Sequence, residues 1–234
     1  MQRQRKDLQT QHNGLSRGEH AGRGPAAENA ELGDLRFRSL LGSEAWARLP
    51  PAVRRRFSKR ISNGATIVYK GRVTSICFSR LGWVLAQALR AAGAPLPISR
   101  AVGLPSVVTV TEDLRSRGQF WTRLYVRDNG FPQVVHSVKR FSGPTGLEEA
   151  IGAGLIMVLE LSVEDGALVF RSAGYALQIG AVRLPLPAVL MPGRLTVRHE
   201  EIDARSFRFS LTLAHRFFGT LVRQECVYAE EKST

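Results

Sequence analysis

Residues 206–214 alternate strictly: Phe207, Phe209, Leu211 and Leu213 fall on one side, Arg208, Ser210, Thr212 and Ala214 on the other. A period of two belongs to a β-strand with one face in a core and the other toward water or a lumen. Alternating or β-branched segments recur at 65–75, 106–113, 119–127, 131–141, 153–163, 167–178, 195–202 and 219–229, which predicts about nine strands in all. Asp128-Asn129-Gly130 and Glu164-Asp165-Gly166 mark two hairpins, because Asn-Gly and Asp-Gly supply the positive φ angles of tight turns. Residues 183–187 (Arg-Leu-Pro-Leu-Pro) break the ladder, and 188–191 read as one helical turn before Pro192-Gly193.

Helical spacing is confined to the first half. A short helix starts at 43–46 with Ser43 as its N-cap, and a second covers 52–59 behind Pro51. A third covers 80–92 and stops at Gly93. In it Leu81, Val84, Leu85, Ala88 and Leu89 form an apolar stripe, read as packing against the sheet. Gly71 is the expected bulge of the first strand. Residues 93–105, with Pro95, Pro97 and Pro105, form a connecting loop.

Strands joined by short turns make an antiparallel meander, and a long meander curls to remove its edges. The expected fold is therefore α+β and β-dominated: a strongly curved antiparallel meander sheet or partly open β-barrel, covered by the N-terminal helices. Residues 1–33 hold hardly any large apolar side chain and are read as a disordered polar tail. Residues 34–230 are read as a single domain, helical over 34–104 and a β-meander over 105–230.

Charge adds a partner question. The net charge is +13, and since residues 1–35 balance, the excess lies in the folded part as twenty-eight basic against fifteen acidic residues. Arg54, Arg55, Arg56, Lys59 and Arg60 surround the second helix, either as a solvated face or as a weakly attractive patch for an anionic surface. The other arginines are scattered, so no specific nucleic-acid partner is expected. Cys77 and Cys226 lack metal-like spacing and are expected as two buried free thiols. No stretch is apolar and long enough for a leader or a spanning helix, so the default location is cytoplasmic, either free or peripheral to a membrane through that basic patch.

Chemistry-bearing residues are few. His199 shares a face with Leu195, Val197 and Glu201, and His215 continues the Phe207–Leu213 face. An inward histidine can grip a ligand, act as a base or be a hydrogen-bonded core residue. Trp121, Arg123, Tyr125 and Arg127 share a face, taken as the outer, solvated one. Glu149 is either a buried carboxylate at a pocket mouth or a surface residue. Residues 143–152 are a Gly-rich connection without a phosphate-loop pattern, and no dinucleotide fingerprint follows a strand.

Phe37-Arg38-Ser39-Leu40-Leu41-Gly42 with Trp46, Leu49-Pro50 and Val53-Arg54 resembles the opening of a bacterial family known as domain of unknown function four-one-six-six. Further matches are Trp121-Thr122-Arg123, Ser137 with Lys139-Arg140-Phe141, and Gly146-Leu147-Glu148-Glu149 with Gly152. Later ones are Leu184-Pro185-Leu186-Pro187 with Pro192-Gly193, Phe207-Arg208-Phe209, and His215 with Gly219. The resemblance implies one coherent domain from about 35 to 228. Members also occur fused behind saccharopine-dehydrogenase-like reductase domains, which implies an accessory role beside a separate reductase.

The leading expectation is a non-enzymatic binding module without a cofactor. It would enclose a hydrophobic or lipid-like molecule in its curved sheet, with Arg123, His199, His215, Phe209 and Glu149 at the ligand. The rivals are a small hydrolase or isomerase using His215 or His199 with Glu149 or Glu201, and an accessory interaction domain for a reductase or an anionic membrane.

Overall fold

The structure, a computed structural model, describes residues 33–93 and 96–231. The tail expected over 1–33 lies, apart from Gly33, outside them, as does Pro95 of the connecting loop. Eleven strands follow one another: β1 (Thr66–Phe78), β2 (Pro105–Asp113), β3 (Gly118–Tyr125), β4 (Gln133–Arg140), β5 (Glu148–Gly152), β6 (Leu155–Glu164), β7 (Ala167–Ile179), β8 (Val182–Pro185), β9 (Arg194–Glu201), β10 (Ser206–His215) and β11 (Gly219–Glu230). Among the described residues the α-helices are α1 (Arg36–Leu41), α2 (Ser43–Ala47), α3 (Pro51–Phe57) and α4 (Arg80–Ala88), the last continued by a 3₁₀ turn, Leu89–Ala92.

Ten strands close into an antiparallel barrel. From β1 to β7 each pairs with the next, β9, β10 and β11 continue the meander, β7 pairs with β9, and β11 pairs with β1. The strand β8 is the extra one: it pairs only with β7, at Ala176–Ile179, beyond the stretch Leu168–Arg171 that β9 occupies. Closure satisfies the backbone groups that an open sheet would leave at its edges.

Alternation accounts for the inner face. In β10 Phe207, Phe209, Leu211 and Leu213 are buried, as the sequence pattern predicts. Asp165 (φ 51°) and Gly166 (φ 74°) make the tight β6–β7 turn. Two strands escape the pattern. The short β5 hides in the expected Gly-rich connection, because Glu148 and Glu149 are charged yet buried. Strand β8 is exposed throughout and has no apolar period to reveal it. The register shift of β1 lies between Val73 and Ser75 rather than at Gly71. Gly71 is needed for close approach instead, since a Cβ there would stand 2.0 Å from the Val227 carbonyl oxygen. Ser43 is the first helical residue of α2, which has no side-chain cap, rather than its N-cap.

The two ends of the barrel differ. At one end α1–α3 form a plug: Phe37 meets Phe57, Phe141 and Phe170 edge-on at 5.0–6.1 Å, and Trp46, Leu49 and Val53 are buried beneath. At the other end α4 lies across the start of β11, its N-terminus capped by Ser79, whose side chain accepts from the Gly82 N–H at 3.0 Å. Gly82 sits where a Cβ would be 1.9 Å from the Leu221 carbonyl oxygen. The helix thus packs through Gly82 and Ala86, with Leu85 and Leu89 of the predicted packing stripe partly buried against the core, while Leu81, Val84 and Ala88 of that stripe face solvent. The small residues allow a backbone approach that the larger side chains would block. Residues 96–98 are held over this end by Gln133, which donates to the Leu96 carbonyl (2.8 Å) and accepts from the Ile98 N–H (3.0 Å).

Candidate functional site

Between plug and α4 the barrel encloses a cavity of about 70 Å³. Its mouth is apolar, formed by Leu89, Leu96, Leu155, Pro192 and Leu213, and its deep end carries Arg123, Ser137, Lys139, Glu149, Tyr175 and His199. The strand registers set this depth. Lys139 faces Glu149 across β4 and β5, and His199 faces Phe209 across β9 and β10, both pairs toward the plugged end.

Glu149 is shared by two cations: Lys139 Nζ donates to its Oε2 at 2.9 Å, and Arg123 stands 3.6 Å from its Oε1. Arg123 also donates to the Ser137 hydroxyl at 3.2 Å. Burial alone would raise the Glu149 carboxyl, but Lys139 and Arg123, with hydrogen bonds from Ser137 and Lys139, bring its pKa down to about 2. Burial holds the Lys139 ammonium below the usual lysine range, with Glu149 opposing. The ammonium also lies 4.8 Å from the Trp121 ring centre and 5.4 Å from that of Phe170. Two basic side chains thus face one carboxylate in an apolar lumen.

His199 is boxed by Phe57, Phe209, Phe170, Phe207 and Trp121 at ring distances of 5.0–6.2 Å. Its Nδ1 is buried without a hydrogen-bond partner. Burial, reinforced by Arg56, Lys139 and Arg123, pushes its pKa well below the ordinary histidine range, so the ring is neutral.

Of the residues predicted from sequence, Arg123, Glu149, His199 and Phe209 line this one cavity. His215 does not. The β10–β11 register shifts between Leu213 and Ala214, which carries His215 out to the rim, where it stacks on Phe218 at 4.9 Å. The face of Trp121, Arg123 and Tyr125 is inward, not outward: Trp121 and Tyr125 are buried. An outer-face reading failed because the arginine's partner, Glu149, lies on a strand the sequence conceals. Lys139, Ser137 and Tyr175 were missed as site residues. On β4 the outward positions Val134 and Val138 are as apolar as the inward Val135, so the pattern does not choose a face.

The basic helix is dispersed by the fold. Arg56 turns inward, its guanidinium 3.7 Å from the Phe207 ring centre, and Lys59 is ion-paired with Glu230. Arg54 is half-buried, while Arg55 and Arg60 are exposed. Cys226 is buried, its thiol pushed up to about 11 by desolvation, whereas Cys77 is exposed rather than buried. Among the described residues no group of three or more His, Cys, Asp and Glu could hold a metal ion, and no helix is long and apolar enough to cross a membrane.

Over residues 49–227 the chain matches the family model described as Domain of unknown function (DUF4166). The chain belongs to this family. No curated protein matches it. The DUF4166 match takes in α3 and α4, all of β1–β10 and most of β11, and with them every residue of the charged lumen.

Proposed function

We propose that this DUF4166 barrel is a binding module for an amphipathic molecule with an apolar body and an anionic, carboxylate-like head. One observation carries the reading: at the closed end of an apolar cavity, the buried Lys139 and the partly buried Arg123 share a single carboxylate. Burying a charge without its complement is costly, and a ligand carboxylate supplies that complement. Glu149 then fixes the two cations in place, and the apolar mouth takes the body of the ligand. A cavity of about 70 Å³ has room for about five waters. The head and first carbons therefore lie inside, and the rest of the chain runs along the mouth.

A binder fits these groups better than a hydrolase. Glu149, at about 2, is held ionised by two cations and is a poor proton acceptor. His199 has no carboxylate to orient it, since its Nδ1 is unpartnered. His215 stands at the rim, away from the cluster.

Calorimetric titration of the purified chain with octanoate and with octanol tests the proposal. Octanoate should bind about ten-fold or more tightly than octanol, as expected for a charge-assisted hydrogen bond. Arg123→Met should erase that preference. Equal affinity for acid and alcohol would remove the anionic head from the reading; binding of neither would remove the ligand.

A further inference from the structure

The exposed large apolar side chains are distributed unevenly. Trp83, Val84, Phe131, Leu190, Phe217 and Phe218 all belong to segments at the open end of the barrel, and Phe131 (91 %) and Phe217 (71 %) are among the most exposed. The connections of the plugged end contribute Leu35, Leu114 and Ile202. At the open end two close backbone approaches bring α4 and the 188–193 turn next to the β10–β11 turn. Gly82 of α4 rests on the Leu221 backbone, four residues beyond Phe217, and Gly193 rests on the Ala214–His215 backbone. A groove runs from Ala188 and Met191 to Arg194 and Arg216. Exposed apolar area of this extent marks an interaction surface.

Charge at the same end has one sign. Segments 79–104, 126–132, 186–194 and 216–218 contain Arg80, Arg90, Arg100, Arg127, Arg194 and Arg216, against the lone acid Asp128. All six arginines are exposed. At the plugged end acids and bases are mixed and several are paired, as in Arg36–Asp34 and Lys59–Glu230. Apolar and aromatic side chains ringed by arginines are what an interfacial membrane contact requires: rings at the headgroup boundary and guanidinium groups on lipid phosphates.

We infer that the open end of the barrel docks on an anionic lipid bilayer, with α4, the Val189-Leu190 turn and the Phe217-Phe218 turn seated in its interface. The arginines bind phospholipid phosphates, and the mouth lined by Leu89, Leu155 and Leu213 faces the acyl layer. This surface differs from the helix α3 patch and stands whether or not the lumen takes a carboxylate.

The test is co-sedimentation of the full chain with phosphatidylcholine vesicles, with and without phosphatidylglycerol, at low and high salt. Sedimentation should require phosphatidylglycerol and weaken with salt. The double variant Phe217→Ser/Phe218→Ser should lose about ten-fold or more in partitioning, since both rings leave the interface. Arg80→Ser/Arg194→Ser/Arg216→Ser should flatten the salt dependence, while Arg55→Glu/Arg60→Glu at the plugged end should change little. Brominated lipids should quench wild-type fluorescence, and Trp83→Phe should abolish most of that quenching because Trp46 and Trp121 are buried. No sedimentation on either vesicle, as expected if another protein covers this face, would overturn the inference. So would loss of binding in the plugged-end variant alone. Octanoate titration of the Phe217/Phe218 variant separates the two proposals, because docking can fail while the lumen still binds.

Discussion

At the scale of single residues, His199 and Glu149 both make acid destabilising, but in different pH windows. The His199 pKa is lowered well below its ordinary 6.5 in the fold. Below that value the unfolded chain binds the proton first, so stability falls as pH drops, by about 1.4 kcal/mol per pH unit. Glu149 is depressed to about 2 from its ordinary 4.5, so its contribution is complete above 4.5 and is lost as pH falls toward 2. Between pH 7 and 5 the histidine therefore acts without Glu149. Urea midpoints should drop across that window in the wild type and much less in His199→Phe, whose ring suits the aromatic box; an unchanged drop would refute the assignment. Glu149→Gln leaves the buried Lys139 and the partly buried Arg123 without a countercharge and should cost about 3–5 kcal/mol. Octanoate should raise the melting temperature of that variant more than that of the wild type, because it restores the missing charge.

At the scale of elements, α4 shows how a helix can be legible in extent and misread in orientation. Its start at Arg80 and the Gly93 stop were readable, but of its stripe only Leu85 and Leu89 pack on the core, while Leu81, Val84 and Ala88 face solvent. Apolar periodicity reports which side chains share a face, not what covers that face; Gly82 against Leu221 decides it. Gly82→Ala should lift α4 from β11 and lower stability by about 1–3 kcal/mol, readable as a loss of melting temperature, whereas Leu81→Ser on the exposed face should leave it nearly unchanged. Strands such as β10 and the Asp165-Gly166 turn were legible because burial on one face and positive φ leave direct marks on residue choice. The short β5 was not, because its two glutamates are stabilised by Lys139, Arg123 and Arg183 from other strands, a pairing that exists only after folding. The site inherits this: His199 and Phe209 were found by their inward alternation, while Lys139 was lost with the strand that carries its partner.

At the scale of the molecule, the plug and the open mouth give the barrel a direction. Ligand entry and exit belong to the arginine-rimmed end, and the charged cluster lies at the depth where the lumen closes. Saturating ligand should stabilise the whole barrel by mass action, about 2.7 kcal/mol at a hundred-fold excess over Kd, measurable as a concentration-dependent melting temperature with octanoate. A further consequence follows from the way β1 is seated between β2 and β11. The barrel is sealed by a ladder joining residues 69–78 to 222–230, a loop closure across most of the chain. On the ribosome β1 has one neighbour early and waits for its second until the final strand has emerged from the exit tunnel. Until then β1 and β10 both present open edges to every other nascent strand nearby, and the seam sealed last is where a truncated copy would invite exchange between chains.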